Sequence, residues 1–253
     1  MFWWVLHVGG RTLEPSITLV YRTPPEQFGG KSNSSCYNAV LSLTHDIQTA
    51  KKRGLTSSFL MVDIKGFFDH VHHKRLIKVL YDKGFPLETC RWVESFVSNR
   101  HTFIRLDDFV STPAPIHVGV PQGSPVSPTL ACIYASEPLE DMLANPIFTE
   151  TIKLPMSSRV YVDDYSFLAI SPSISENNHA LSLVLNGLLP ALDRIGLRID
   201  PAKTDIMHFS WQKNPEPTPP LNCTLYNKPF SFLPPPTGFA RWLGIFLDKK
   251  LTY

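Results

Sequence analysis

The chain contains 253 residues, of which 43% are hydrophobic and 18% charged, and its formal net charge is +2. This composition is typical of a folded protein with a sizeable core, and the small positive charge permits a polyanionic partner without requiring one. The four cysteines are widely scattered, so they indicate neither a zinc site nor a disulfide framework. We therefore expect a reduced, intracellular protein, in the nucleus or the cytoplasm.

The first half of the chain predicts helices separated by short strands. Residues 1–26 have no clear period and no apolar run long enough for a signal peptide or a membrane span, so we expect an irregular lead-in and no membrane partner. Apolar residues at helical spacing predict a helix that begins after Ser35 and ends at Gly54. The further predicted elements are a buried strand at 59–62, helices at 76–83 and 87–98, and strands around a turn at 101–118.

The second half alternates helices and strands without βαβ regularity, which indicates the α+β class. A stretch rich in glycine and proline at 119–128 leads into an apolar helix at 129–143. The later predicted elements are a tight hairpin with strands at 158–162 and 165–170, a helix at 176–195, a strand at 205–210 and a last strand at Arg241–Leu247. Proline density between Pro215 and Pro236 predicts an exposed, poorly packed insertion, placed at 213–238.

Three aspartates stand at the ends of apolar strands. Asp63 follows the run FLMV, and Asp163 and Asp164 interrupt the run VYVDDYSFL. Burying carboxylates is costly unless a cation neutralises them, and short oxygen ligands suit Mg²⁺. If the fold brings these acids together, they predict a magnesium site; taken singly, each is more typical of a turn or cap residue.

Five sequence blocks occur in the order seen in one enzyme family. They are FLMVDIKGFFDHV at 59–71, GVPQGSPVSPTL at 119–130, VYVDD at 160–164, LRIDPAKTDIMHF at 197–209 and RWLGIFLD at 241–248. Together with QFGGKSNSS at 27–35, they resemble the reverse transcriptases of non-LTR (LINE-type) retrotransposons of the fungal kind. The resemblance covers residues 27–250 and implies a right-hand polymerase palm, an antiparallel sheet backed by helices, with partial fingers. Because the chain stops at Tyr253, just beyond the fifth block, we expect a truncated chain without a thumb.

The resemblance also assigns the catalytic residues. Asp63 and Asp163 would hold two Mg²⁺ ions, with Mn²⁺ as an alternative, and Asp164 would support them. The backbone carbonyl of Ile64 would complete the coordination. Lys203 would protonate the departing pyrophosphate or stabilise its charge, although a solvated surface lysine is the plain alternative.

Four further residues are assigned to the nucleotide and the template. Phe68 would block a 2′-hydroxyl and so select deoxynucleotides; core packing is the alternative. Gln122 and Gly123 would form a turn that lets the backbone approach the nucleotide and the template, because glycine has no Cβ; an ordinary loop before the helix at 129–143 is the alternative that the residues alone favour. Lys31 stands where the family usually has arginine, and a lysine loses bidentate phosphate recognition.

The fifth block implies a primer grip at Trp242–Gly244, with buried core as the alternative. The expected function is RNA-templated DNA synthesis from deoxynucleoside triphosphates on a DNA primer, and the sequence does not indicate an oligomeric state. A catalytically inactive remnant that at most binds nucleic acid is the competing hypothesis. A different palm polymerase, such as a group II intron maturase or a telomerase-like enzyme, is a weaker one.

Overall fold

The structure is a computed structural model that describes residues 6–8, 11–13, 24–31, 33–145, 152, 154–211 and 219–251. Its helices are α1 (Cys36–Lys52), α2 (Phe67–His70), α3 (His73–Asp82), α4 (Leu87–Val97), α5 (Ser127–Leu143) and α6 (Ile174–Arg194). Its first seven strands are β1 (Leu6–Val8), β2 (Arg11–Leu13), β3 (Thr56–Val62), β4 (Arg100–Thr102), β5 (Arg105–Leu106), β6 (Phe109–Val110) and β7 (Ala114–Ile116). The remaining strands are β8 (Met156–Tyr161), β9 (Asp164–Ser171), β10 (Asp205–Phe209), β11 (Leu221–Leu225), β12 (Lys228–Phe232), β13 (Phe239–Trp242) and β14 (Ile245–Asp248).

A four-stranded antiparallel sheet forms the centre of the molecule, in the order β10-β3-β9-β8. Successive side chains of a strand point to opposite faces, so a strand buried on both faces reads as a continuous apolar run. This explains the unbroken apolar run at the end of β3, in which Leu60 and Val62 join one core cluster whereas Phe59 and Met61 join another. The central sheet is therefore covered on both faces.

Each face of the sheet has its own cover. Helix α6 contacts β3 and β9 and packs against α5, and this side holds the larger core cluster. On the other face lie α1 and the β13–β14 hairpin, where Trp242 packs edge-on against Phe59 with ring centroids 5.0 Å apart. The mixture of helices with an antiparallel sheet is the α+β arrangement that the sequence predicts.

A second group of elements extends from α5. Helices α3 and α4 contact each other, and α3 also contacts α5. The strands between α4 and α5 pair as β4 with β7 and β5 with β6, two nested hairpins that we call the hairpin arm (residues 100–116). The prediction of strands around a turn is confirmed here. A bridge between His72 and Val118 joins the base of the hairpin arm to the start of α3.

Two predictions about irregular segments were wrong. The lead-in at 1–26 contains the paired strands β1 and β2 within its described residues. The proline-rich insertion at 213–238 contains the hairpin β11–β12, whose Leu221 and Phe232 are buried and which packs on α6. Apolar residues two apart in β11 supply one buried face, and this outweighs the proline content of the flanking segments. Residues 212–218 lie outside the described part of the chain.

Other boundaries also changed. The single last strand predicted at Arg241–Leu247 is the hairpin β13–β14, because Leu243 and Gly244 both adopt positive φ and turn the chain. The short helix α2 was not predicted, since four residues carry no periodic signal. None of the helices in the described ranges is long and apolar enough to cross a bilayer.

Candidate active site

The fold brings the three aspartates to one end of the central sheet. Asp63 follows the last residue of β3, while Asp163 lies in the turn that joins β8 to β9 and Asp164 opens β9. Strands β3 and β9 are neighbours, and Val62 pairs with Tyr165. Asp63 and Asp164 each adjoin one residue of this pair, so they lie close together. The predicted tight hairpin around Asp163 and Asp164 is confirmed.

The turn that carries Asp163 has an unusual backbone. Tyr161 pairs with Asp164, which leaves Val162 and Asp163 as a two-residue loop, and Val162 has φ of 61°. A β-branched residue in the left-handed region is strained, and such strain persists only where the surroundings hold it. The side-chain oxygen of Gln27 accepts a hydrogen bond of 3.2 Å from the Val162 amide and another of 3.0 Å from the Gly29 amide. Gln27 thus holds the strained residue.

The electrostatics of the three acids show that their charges are only partly compensated, since Lys203 lowers the pKa of Asp63 and of Asp163 by less than burial raises it. Burial raises the pKa of Asp164 to about 6, and the neighbouring charges of Asp163 and then Asp63 add to the effect. Burial is also the main cause that raises the pKa of Asp163 and of Asp63. Carboxylates that raise one another's pKa attract cations, because a bound cation would remove both the repulsion and part of the desolvation cost.

Residues 198–200 run alongside the start of the first block. The Asp200 amide donates to the Asp63 carbonyl at 2.8 Å, and the Lys65 amide donates to the Arg198 carbonyl at 2.8 Å. Ile64 lies between these bonds opposite Ile199, so its carbonyl takes no part in this pairing. The turn after Asp200 places Lys203 Nζ 3.8 Å from Asp63 Oδ2 and 4.0 Å from Asp200 Oδ2.

Asp63, Asp164 and Lys203 line one cleft of about 230 Å³, which we call the acidic cleft. The β13–β14 turn at Trp242–Gly244 and Arg241 also line this cleft. The buried Trp242 ring anchors this turn to the sheet, so the structure places the predicted primer grip beside the acids.

Sequence reasoning missed one residue that lines this cleft and two that contact the segments carrying its acids and Lys203. Arg241 was read only as part of a strand, Asp200 only as part of a block, and Gln27 was not singled out. Arg241 could have been singled out, because it is a cationic residue directly before the Trp242–Gly244 turn. Gln27 gives no such signal, since its contacts are with backbone amides distant in sequence.

The predicted nucleotide-contacting residues do not line the acidic cleft. Phe68 is half-buried on α2, and its carbonyl accepts from the Val120 amide at 2.8 Å. Gln122 Nε2 donates to Asp69 Oδ1 at 3.3 Å, and Gly123 has φ of 87° with open space where a Cβ would lie. These contacts bring Phe68 and the 119–123 segment together beside α2.

Lys31 does not point at the acids. Its Nζ donates to the Pro24 carbonyl at 2.5 Å, and burial lowers the pKa of its amine. The Cys132 Sγ donates to the neighbouring Gly29 carbonyl at 3.5 Å, so this segment packs against α5. The structure thus gives Lys31 a local backbone partner.

The acids fit a divalent cation by their donor chemistry. Among the described residues, no three Asp, Glu, His or Cys side chains are already arranged to hold a metal ion. The ammonium of Lys203 lies beside Asp63, 3.8 Å from its Oδ2, where it offsets part of the negative charge. Carboxylate oxygens are hard ligands, and Mg²⁺ and Mn²⁺ bind such ligands more readily than softer metals do.

Mg²⁺ is expected to stabilise the protein through these acids. At ten times the dissociation constant, binding to the folded state alone adds about 1.4 kcal/mol, which raises the melting temperature by roughly 3–5 °C in a chain of this size. Thermal unfolding with MgCl₂, against NaCl of equal ionic strength, measures the effect. The Asp63→Asn, Asp163→Asn double variant should show no Mg²⁺-specific rise, and an equal rise in that variant would contradict the assignment.

An antiparallel sheet with carboxylates at a strand end and in the adjacent hairpin turn is the arrangement that the sequence blocks predict for a polymerase palm. A family model described as reverse transcriptase (RNA-dependent DNA polymerase) matches residues 8–244. The chain belongs to this family, as its five sequence blocks predict, and the family generally uses divalent metal ions.

Two relatives from Drosophila melanogaster indicate which branch of the family this chain resembles. The RNA-directed DNA polymerase from mobile element jockey is 30% identical over 192 residues, which cover 76% of this chain and 20% of the relative. A probable RNA-directed DNA polymerase from transposon BS is 27% identical and covers 91% of this chain and 24% of the relative. These relatives support the LINE-type assignment. The chain spans about a quarter or less of their length.

A solved structure supports the fold. An apo telomerase from Candida tropicalis, truncated from its C-terminal domain, aligns with a TM-score of 0.54 and 13% identity. The alignment covers 75% of this chain and 37% of that one. The palm-like α+β fold is therefore confirmed.

Proposed function

We propose that the chain carries the catalytic palm of an RNA-templated DNA polymerase, which transfers a deoxynucleotide to a primer 3′-hydroxyl. The observation that carries the proposal is the convergence of Asp63, Asp164 and Lys203 on one cleft, beside the Asp163 turn. A protein that only binds nucleic acid has no use for half-buried acids that repel phosphates. The names of the relatives and the family support RNA as the template.

Asp63 and Asp163 would hold two Mg²⁺ ions, with Asp164 in support. When bound, such ions activate the attacking hydroxyl and neutralise charge on the leaving group. The ammonium of Lys203 lies beside Asp63, where it can donate a proton to the pyrophosphate or stabilise its charge. The Trp242–Gly244 turn forms the wall that would hold the primer end, since its indole is fixed in the core.

Primer extension tests the proposal. The full chain is incubated with an RNA template, a DNA primer, Mg²⁺ and deoxynucleotides, beside its Asp163→Ala, Asp164→Ala variant. Extension by the parent and none by the folded variant would support catalysis at these acids. No extension by a parent that is shown to be folded would favour the inactive remnant instead.

Phe68 provides a test of sugar selection. Its position on α2 beside the 119–123 segment is compatible with a side chain that meets the 2′-position of a bound nucleotide. Phe68→Ala is expected to lower the preference for deoxynucleotides over ribonucleotides by about 10- to 100-fold in kcat/KM. Phe68→Tyr keeps the bulk and should keep the preference. An unchanged ratio in Phe68→Ala would show that the ring serves only packing against Phe67.

A further inference from the structure

The β11–β12 hairpin contacts backbone that supports the acidic cleft, although none of residues 221–232, all of which the structure describes, lines the cleft itself. The hairpin packs on α6, and Ser182 Oγ of that helix donates to the Asn222 carbonyl at 2.8 Å. Its tip is the two-residue turn Tyr226–Asn227, where both residues have positive φ. From this anchor on α6 the tip reaches residues 198–200, the segment that runs beside the first block.

The segment at residues 198–200 is held from two sides. On one side, its first and last residues bond through their backbone to residues 63–65. Successive N–H and C=O groups of an extended segment point to opposite sides, so those of Ile199 point away from residues 63–65. On that outer side the Tyr226 hydroxyl accepts from the Ile199 amide at 2.9 Å and donates to the Ile199 carbonyl at 3.4 Å. The hydroxyl therefore takes the place of a neighbouring strand.

The position of this hydroxyl is fixed by the hairpin. Tyr226 has φ of 49°, a left-handed conformation that is uncommon for residues other than glycine and persists only where the surroundings hold it. The Arg198 guanidinium carbon lies 5.2 Å from the centre of the Tyr226 ring, within the range of a cation–π contact. The turn and this contact together keep the hydroxyl at Ile199.

The segment leads into the turn that carries Lys203. The Asp200 carbonyl accepts from the Lys203 amide at 3.2 Å, from the Thr204 amide at 3.0 Å and from the Thr204 hydroxyl at 2.8 Å. The Asp200 carboxylate accepts from the Ala202 amide at 3.0 Å. Because all these bonds start from Asp200, the place where Asp200 is held determines where the Lys203 ammonium lies relative to Asp63.

We propose that Tyr226 is a positioning residue of the polymerase reaction, which holds residues 198–200 against Asp63 and thereby keeps the Lys203 turn in place. The inference rests on the proposed function, in which Lys203 meets the departing pyrophosphate. Tyr226 does not line the acidic cleft, so it acts through this segment. An interaction with the leaving group develops only in the transition state, so loss of the hydroxyl should slow catalysis without weakening nucleotide binding.

Tyr226→Phe tests the proposal, because it removes the hydroxyl and keeps the ring. In primer extension with an RNA template and Mg²⁺, kcat should fall by about 10-fold, while KM for the nucleotide should change by less than about two-fold. The matched control is Tyr81→Phe, the same change at an exposed tyrosine of α3, and it should change neither quantity. Extension by Tyr226→Phe with the parent's kcat would overturn the positioning role and leave the proposed function intact.

A double-mutant cycle separates positioning of Lys203 from a general structural role. Lys203→Ala removes the group through which Tyr226 acts, so Tyr226→Phe should cost less than about two-fold in that background. A loss of about 10-fold in both backgrounds would overturn the proposal, because the hydroxyl would then act by a route other than Lys203.

Hydrogen exchange followed by mass spectrometry gives a readout that does not depend on activity. In Tyr226→Phe, amides of residues 197–204 should exchange about 10-fold faster than in the parent, while those of β9 and those of the Tyr81→Phe control keep the parent's rates. Faster exchange together with an inactive parent would support the hold on residues 198–200 and contradict the proposed function alone. Exchange at the parent's rate would overturn the proposal whether or not the parent extends primers.

Discussion

Primer extension by the Asp163→Asn variant is expected to be slower than that of the parent by about a thousand-fold or more. The amide keeps the shape of the side chain but removes the charge that would hold a cation. Since burial and Asp63 raise the pKa of Asp163, the charged form is costly for the fold, and the variant should remain folded.

The control for this variant is Asp82→Asn, which removes a carboxylate from an exposed pair with Lys78 on α3. It should extend primers at the parent's rate, because an exposed pair contributes little to stability. Single-turnover extension at saturating nucleotide measures both. A loss of less than about ten-fold in a folded Asp163→Asn protein would remove this residue from the catalytic set.

Asp164→Asn is expected to make the protein more stable above neutral pH. The pKa of Asp164 is about 6 in the folded chain, above its value of about 3.9 in the unfolded chain, so the folded state binds more protons. The ionised carboxylate therefore destabilises the fold at pH 8, and that cost is relieved as the pH falls through 6. After a discount for partial solvent exposure, we expect the variant to gain about 1–2 kcal/mol at pH 8.

The gain should shrink between pH 6 and pH 4 and vanish below, where both states of the parent are neutral. Urea unfolding in EDTA at pH 8, 6 and 4 measures it, because bound metal would offset the cost of the charge. A variant that is less stable than the parent at pH 8 would show that the Asp164 carboxylate stabilises the fold.

Much of the palm could be predicted from the sequence because its signals are local. The central strands are buried on both faces, so they read as short apolar runs. Helices α1 and α6 end two residues before Gly54 and Gly196, each with φ above 70°. The acids stand out because aspartate is rare in such strands. The family resemblance carried by the blocks then grouped Asp63 with Asp163 in one site. The pairing of β3 with β9 brings Asp63 next to the Asp163 turn.

The rest depends on contacts that no local pattern contains. The β11–β12 hairpin was obscured by prolines, although Asn227 and its neighbour Tyr226, both at positive φ, mark its turn. Strand β3 was predicted to begin at Phe59, but it begins at Thr56. Its first residues are polar and nevertheless buried, and Ser58 is satisfied by a 2.7 Å hydrogen bond with His208. Lys31 was assigned to phosphate by its position in a block, but its amine is partly buried and donates to the Pro24 carbonyl seven residues earlier.

Gln27→Ala is expected to destabilise the protein by about 2–4 kcal/mol. The residue is 1% exposed, and its side-chain oxygen serves the amides of both Gly29 and Val162. Alanine would leave these two donors unsatisfied in the interior. Its backbone neighbours fix the segment to β8, since Phe28 donates to the Val160 carbonyl at 2.7 Å and Val160 donates to the Glu26 carbonyl at 2.9 Å. Residues 26–28 should therefore stay paired with β8, whereas the Val162–Asp163 turn loses its hydrogen bond to residue 27.

The same substitution should slow primer extension by about 10- to 100-fold even where the protein is fully folded, because small displacements of a catalytic group are costly. Val162 is strained at positive φ, so without Gln27 the turn can relax and move Asp163. Gly29→Ala should act in the same direction by another route, since a Cβ there would lie 2.6 Å from the Val162 amide nitrogen.

Extension rates measured well below the melting temperature separate positioning from stability. Gln48→Ala, on an exposed position of α1, is the matched control and should change neither quantity. Gln27 acts as a positioning residue if Gln27→Ala and Gly29→Ala lower kcat more than they raise KM for the nucleotide. Normal kcat in a destabilised Gln27→Ala protein would mean that the turn keeps Asp163 in place without Gln27, and that the conformation of Val162 is fixed by the β8–β9 pairing alone.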